Sequence, residues 1–173
     1  GSTGSFCVTG SRDTTLCIWQ LAALSLPTAL SSFLGAVAPT AGAAVISATM
    51  PMRALPLFVL PGHDSSVSCV ACSEDLDLIV SASAGDSTIM IHALRSGRYM
   101  RSLQLPADVA PAQLLISEAC GSVVVLLQPV PSSASLSSTL RAFNCNGLAL
   151  GIAVADELVS AITLTLDGRA VLT

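Results

Sequence analysis

"VSCVACSEDLDLIVS", Val67 to Ser81, lies without a gap on "VSAITLTLDGRAVLT", Val159 to Thr173. Apolar residues coincide at 67/159, 70/162, 79/171 and 80/172. An acidic residue marks the same turn in each (Asp75, Asp167), and both stretches end on a hydroxyl (Ser81, Thr173). The copies start 92 residues apart, twice 46, and a weaker copy from Gln113, "QLLISEACGSVVVLL", falls midway. Apolar runs on either side of an acidic turn read as strand, turn, strand. A period near 46 is close to that of a propeller blade, whose four antiparallel strands take about 40–45 residues.

The flanking hairpins repeat as well. "VTGSRDTTLCIW", Val8 to Trp19, pairs with "VSASAGDSTIMIH", Val80 to His92, with one added residue before the second Asp. Thr9 then matches Ser81, Asp13 matches Asp86, and Trp19 falls opposite His92. Two further hairpins, "TIMIHALRSGRYMRSLQL" and "LRAFNCNGLALGIAV", turn at Ser96-Gly97 and Asn146-Gly147. The Asn-Gly pair suits the positive φ angles of a type I′ turn. Strands run throughout and no segment shows a convincing helix.

Composition narrows the function classes. With 173 residues the chain has enough mass for one ordinary domain. A net charge of −4 and a pI of about 4.8 leave no basic face for a nucleic-acid backbone. Mean hydropathy is +0.75 with only 10% charged residues, which suits a strongly buried fold or one whose partner surfaces are elsewhere. A charge-free run from Gln20 to Met52 has the length of a bilayer span. Pro39, two glycines, many Ser and Thr and the lack of an aromatic belt make it an inserted Ala/Ser/Pro-rich loop instead, expected to be mobile. A shorter Ser-rich loop is expected around Ser132 to Ser138.

Six cysteines stand at 7, 17, 69, 72, 120 and 145. Cys69 and Cys72 spell C-x-x-C, but on an alternating strand residues three apart point to opposite faces. With no second such pair, and His63 and His92 the only histidines, the thiols are expected to be reduced and buried as small hydrophobes. No metal site and no cofactor are expected.

The chain resembles WD-repeat proteins. In that family a Gly-His pair, a strand Ser or Thr, a turn Asp and a third-strand Trp form a hydrogen-bonded set within each blade. The resemblance therefore implies a structural network of His63, Ser81 and Asp86 in one blade and of Thr9, Asp13 and Trp19 in another. The physical reason is that a buried turn carboxylate needs donors. Neither set is whole: His92 replaces Trp in the first, and the second lacks its own Gly-His. "SRDTT", "GHD", "VSCVACSEDLD", "IHALRSGRYMRSL" and "NGLAL" narrow the likeness to the C-terminal WD-repeat region of BEACH-domain, neurobeachin-like proteins.

The resemblance implies an all-β, partial propeller of about three to four blades over 6–173. A first blade covers 6–61 with the inserted loop 22–56, and a second covers 63–106. A third covers 112–155, and a fourth begins at 158–173. A closed ring usually has about seven blades, so open sheet edges and an aggregation risk are expected. The implied function is a non-enzymatic protein-interaction scaffold in vesicle trafficking or membrane-protein sorting. Its partners would be proteins and the BEACH region of the same full-length chain. It would be cytoplasmic, meeting membranes only indirectly or peripherally. The alternative is a WD-repeat adaptor of a ubiquitin ligase or signalling complex.

Other readings carry less. Ser81, His63 and Asp86 are the residue types of a hydrolase triad, but no G-x-S-x-G elbow or oxyanion-hole signature accompanies them. Glu74, Asp75, Asp77 and Asp86 lack the glycine and spacing of a calcium loop. Arg95, Arg98 and Arg101 lie on one hairpin that could face an acidic partner, against the plainer reading of a solvated edge.

Overall fold

The computed structural model describes residues 6–21, 55–133, 137–165 and 167–173. Nearly all of the expected inserted loop, residues 22–54, lies outside the described residues, as do 134–136 of the Ser-rich loop. No helix among the described residues is long and apolar enough to cross a membrane.

The chain is all-β. The first sheet holds β1 (Phe6–Gly10), β2 (Leu16–Gln20) and β3 (Phe58–Leu60) in that order. The second holds β4 (Val67–Ser73), β5 (Leu78–Ser83), β6 (Thr88–Ala93) and β7 (Tyr99–Gln104). The third holds β8 (Val109–Ser117), β9 (Ser122–Pro129), β10 (Ser138–Asn144) and β11 (Ala149–Ala155). A final pair joins β12 (Thr163–Leu164) and β13 (Val171–Leu172). Every pairing is antiparallel between strands consecutive in the chain.

The sheets stack face to face, and the second strand of each full sheet is buried on both sides. On β5, Leu78, Val80 and Ala82 pack with Val123, Val125 and Leu127 of β9. Ile79 points the other way, to Leu16, Ile18 and Leu60 of the first sheet. On β9, Val124 and Leu126 turn to Val159 and Ile162 near the final pair. Alternate side chains thus serve successive interfaces, so "LIVSAS" and "SVVVLLQP" read as continuous runs and not as half-buried alternation. Each such Val, Leu or Ile contributes roughly 1.5–3 kcal/mol by burial.

Small polar ties repeat between sheets. Ser73 at the end of β4 donates to Glu118 Oε1 in the next sheet's first turn at 3.1 Å. Ser117 at the end of β8 donates to the Gly168 carbonyl, again in the next first turn, at 3.0 Å. The last hairpins behave alike. A Cβ on Gly97 would stand 2.9 Å from Leu60 and 3.1 Å from Phe58 of β3, and one on Gly147 would stand 2.6 Å from Leu103 of β7. Each third-to-fourth-strand turn therefore rests on the outer strand of the sheet before it.

Two expectations are corrected. The Asn146-Gly147 turn is not type I′, because only Gly147 has positive φ (78°). Its N–H donates to the Asn144 carbonyl at 2.8 Å, and Leu148 N–H to Asn144 Oδ1 at 2.8 Å. The register of β10 on β11 shifts between Ala142 and Phe143, so the loop is a three-residue turn with a left-handed glycine. The cysteines are free as expected but not buried: Cys7, Cys72 and Cys120 are exposed, and Cys17, Cys69 and Cys145 are half-buried. They sit at strand ends, in turns and on outward faces, where the alternation places them.

Burial pushes the Cys69 thiol up to about 11, and burial with nearby Cys7, Glu118 and Glu74 raises that of Cys72. The Ser117 and Ser122 hydroxyls, 3.0 and 3.1 Å away, hold that of Cys120 below its usual range. Because the thiolate is the nucleophile, iodoacetamide near pH 8 should label Cys120 first and Cys69 last, read by peptide mass spectrometry over time. Equal rates at the two would contradict these environments.

Candidate functional site: the hydrogen-bonded frame

Asp86 sits in the turn between β5 and β6. Its Oδ1 accepts from Thr88 N–H at 2.9 Å, while Oδ2 accepts from Asp64 N–H at 3.0 Å and lies 3.0 Å from His63 Nδ1. His63 Nε2 lies 2.9 Å from Ser81 Oγ on β5. An ionised carboxylate only accepts, so Nδ1 carries a proton, and in the neutral ring Nε2 accepts from the Ser81 hydroxyl. Burial alone would raise the Asp86 carboxyl. The His63 hydrogen bond, the two backbone donors and the His63 charge outweigh it and hold the group below 3.8.

The first sheet builds the same turn with fewer parts. Asp13 Oδ1 accepts from Thr15 N–H at 3.0 Å and from the Thr15 hydroxyl at 2.6 Å. Between acid and Thr, Thr14 and Ser87 hold the same left-handed backbone, with φ of 75° and 51°. Trp19 Nε1 donates to Thr9 Oγ1 at 3.0 Å, from a position directly across from Cys7. His92 stands across from Ile79, the same diagonal step from Ser81, yet makes no hydrogen bond to it. Imidazole is shorter than indole. His92 is left buried, with Nδ1 unpartnered and its ring edge-on to Tyr99 at 5.6 Å.

Those two groups give the sheet a pH dependence of known sign. Burial, helped by the His63 charge, lowers the His92 pKa below 6.5, and Asp86 is held below 3.8. Each folded-state pKa is depressed, so the unfolded chain binds the proton more readily, and stability is lost as pH falls through each window. The melting temperature is expected to fall as pH drops below about 6.5 and to fall more steeply below about 3.9. His92→Phe should flatten the upper slope alone. An unchanged slope in that variant would remove His92 as its source.

Ser81, His63 and Asp86 do stand in the bonded order of a nucleophile, base and acid. Ser81 is 0% exposed between strands, however, which gives its hydroxyl no route to a substrate. The three arginines separate. Arg95 is tied to the first turn, its N–H to Asp77 Oδ1 at 2.7 Å and Nη2 to the Glu74 carbonyl at 3.1 Å. Arg98 is exposed. Arg101 is half-buried and turned into the cleft toward the third sheet, where Nη1 donates to the Asn146 carbonyl. Sequence reasoning missed Thr15 and Thr88, although Asp-x-Thr stands in both hairpins. It also missed the Asp64 N–H, which leaves no trace in side-chain identity.

The sequence profile of the family described as the neurobeachin beta propeller domain matches residues 1–172. The chain belongs to that family. It is also similar to BEACH domain-containing protein B of Arabidopsis thaliana, 34% identical over 109 residues, which are 63% of this chain. Those residues span only 4% of the length of that relative. Among solved structures it superposes on a chain of the "Crystal Structure of Mitotic Checkpoint Complex" with a TM-score of 0.63. That match covers 98% of this chain and 44% of the other at 16% identity, so it speaks to the propeller fold alone. In this neurobeachin-type propeller the bonds join Trp19 of β2 to Thr9 of β1, and His63 to Ser81 of β5.

Proposed function

We propose that each sheet is one blade, within the divisions given above, and that the chain is the interaction part of a BEACH-type scaffold. It acts without catalysis, holding loops rigidly toward protein partners during vesicle trafficking or membrane-protein sorting. The BEACH region of the same full-length chain shares the work. The observation that carries this reading is the family match over residues 1–172, joined to the likeness to a BEACH-domain protein. The frame supports it: His63, Ser81 and Asp86 are spent on each other and leave no chemistry free. The propeller works at membranes only indirectly, from the cytoplasmic side.

The test begins with the transcript on both sides of the coding region for these residues. A BEACH domain encoded upstream, together with missorted membrane cargo after depletion of the full-length product, is the expected result. No BEACH domain, or cargo that sorts normally, would favour the adaptor reading.

A further inference from the structure

The junction between the first and second sheets and that between the second and third share one plan, and two positions break it. Anchored on the Gly97 and Gly147 turns, Phe58 and Leu60 of the first sheet's outer strand correspond to Arg101 and Leu103 of the second. Anchored on the register shifts at Ile91/His92 and Ala142/Phe143, Met90 of β6 corresponds to Arg141 of β10. Where one junction carries phenylalanine and methionine, the next carries two arginines.

Both arginines face the same cleft. Arg141 stands directly across from Val125, and direct cross-strand neighbours share a face. Val125 packs in one cluster with Ile91 of the second sheet, and Ile91 stands across from Arg101. In both guanidinium groups Nε is buried with no partner. Neither lies within ion-pair reach of a carboxylate among the described residues, where the ion pairs are His63–Asp86 and Arg95–Asp77. Buried donors of a cation without an anion are costly. On the same face of β11, Ile152 stands across from Arg141, with Val154 two residues further on. They are 61% and 63% exposed, an apolar wall beside the charge.

We propose that the cleft between the second and third sheets is a docking groove for an extended acidic peptide, whose carboxylates are received by Arg101 and Arg141. Successive side chains of an extended strand point to opposite sides. The peptide that fits alternates, acidic residues toward the two guanidinium groups and apolar residues toward Ile152 and Val154. An anionic bilayer fits less well, because Arg101 and Arg141 are half-buried between two sheets, where an extended chain can enter and a flat surface of headgroups cannot. The proposal deepens the scaffold reading by naming a site and a partner chemistry. Peptide binding is measured without reference to trafficking, so either idea can fail alone.

The test follows the arginine Nε–H signals of the 173-residue chain by NMR. The probes are a ten-residue peptide alternating Leu and Glu, its block-ordered isomer, and vesicles containing phosphatidylinositol phosphate. Arg101 and Arg141 should shift together on one saturating curve with the alternating peptide, while Arg12 and Arg98 stay put. Arg141→Met, which restores the residue of the first junction, should weaken binding about tenfold or more. The wild-type titration stands even if that variant folds poorly. The groove is overturned if neither signal moves, if all arginines move alike, if the block isomer binds equally, or if only vesicles bind.

Discussion

Replacing His63 with Ala is expected to destabilise the chain by about 3 kcal/mol and to lower its melting temperature by about 6–12 °C. The His63 side chain is 1% exposed and that of Asp86 11%. The substitution leaves the Asp86 carboxylate without its side-chain donor and the Ser81 hydroxyl without an acceptor. Losing one partner of a buried pair costs more than the pair was worth, because the survivor stays desolvated. The slight exposure of Asp86 places the loss at the lower end of that range. Thr9→Ala, which removes the acceptor of the solvent-exposed Trp19 bond, should cost about 1 kcal/mol or less. Thermal unfolding followed by circular dichroism decides it. Equal losses for His63→Ala and Thr9→Ala would mean that the buried network carries no special weight.

Gly97→Val is expected to be comparably damaging, for a different reason. At φ 66° a non-glycine backbone costs about 1–3 kcal/mol, the upper end for a β-branched residue. The added Cβ would also meet Leu60 at 2.9 Å and Phe58 at 3.1 Å, prising the hairpin off the first sheet. Overpacking of that kind adds about 1–3 kcal/mol. Gly121 separates the two effects, since its φ is 65° and nothing lies within 4 Å of its notional Cβ. Gly121→Val should show the backbone cost alone, and the excess for Gly97→Val measures the contact between sheets. If the two variants lose the same stability, the turn does not rest on its neighbour in the way described.

The bonded frame and the turn glycines differ in how they can be found. Thr9, Asp13 and Trp19 lie within one hairpin, and His63, Ser81 and Asp86 span the approach to one sheet and its first two turns, so their spacing is set by strand length and turn size. Local chemistry of that kind repeats visibly along the chain. The positive φ of Gly97 and Gly147 is equally local, but their contacts with Leu60 and Leu103 are not.

By itself, the order of residues determined the strands, their repeat and the acidic turns, because period-two alternation and turn chemistry act over a few residues, while the members of the frame came from the resemblance to WD-repeat proteins. Tertiary structure alone decided which face of each strand meets which sheet, which thiols reach solvent, and that His92 falls short of Ser81. It also brought Arg101 and Arg141 to one cleft. Those outcomes depend on how separate sheets stack, a matter of distance across space between residues far apart in the chain, and no local pattern records it.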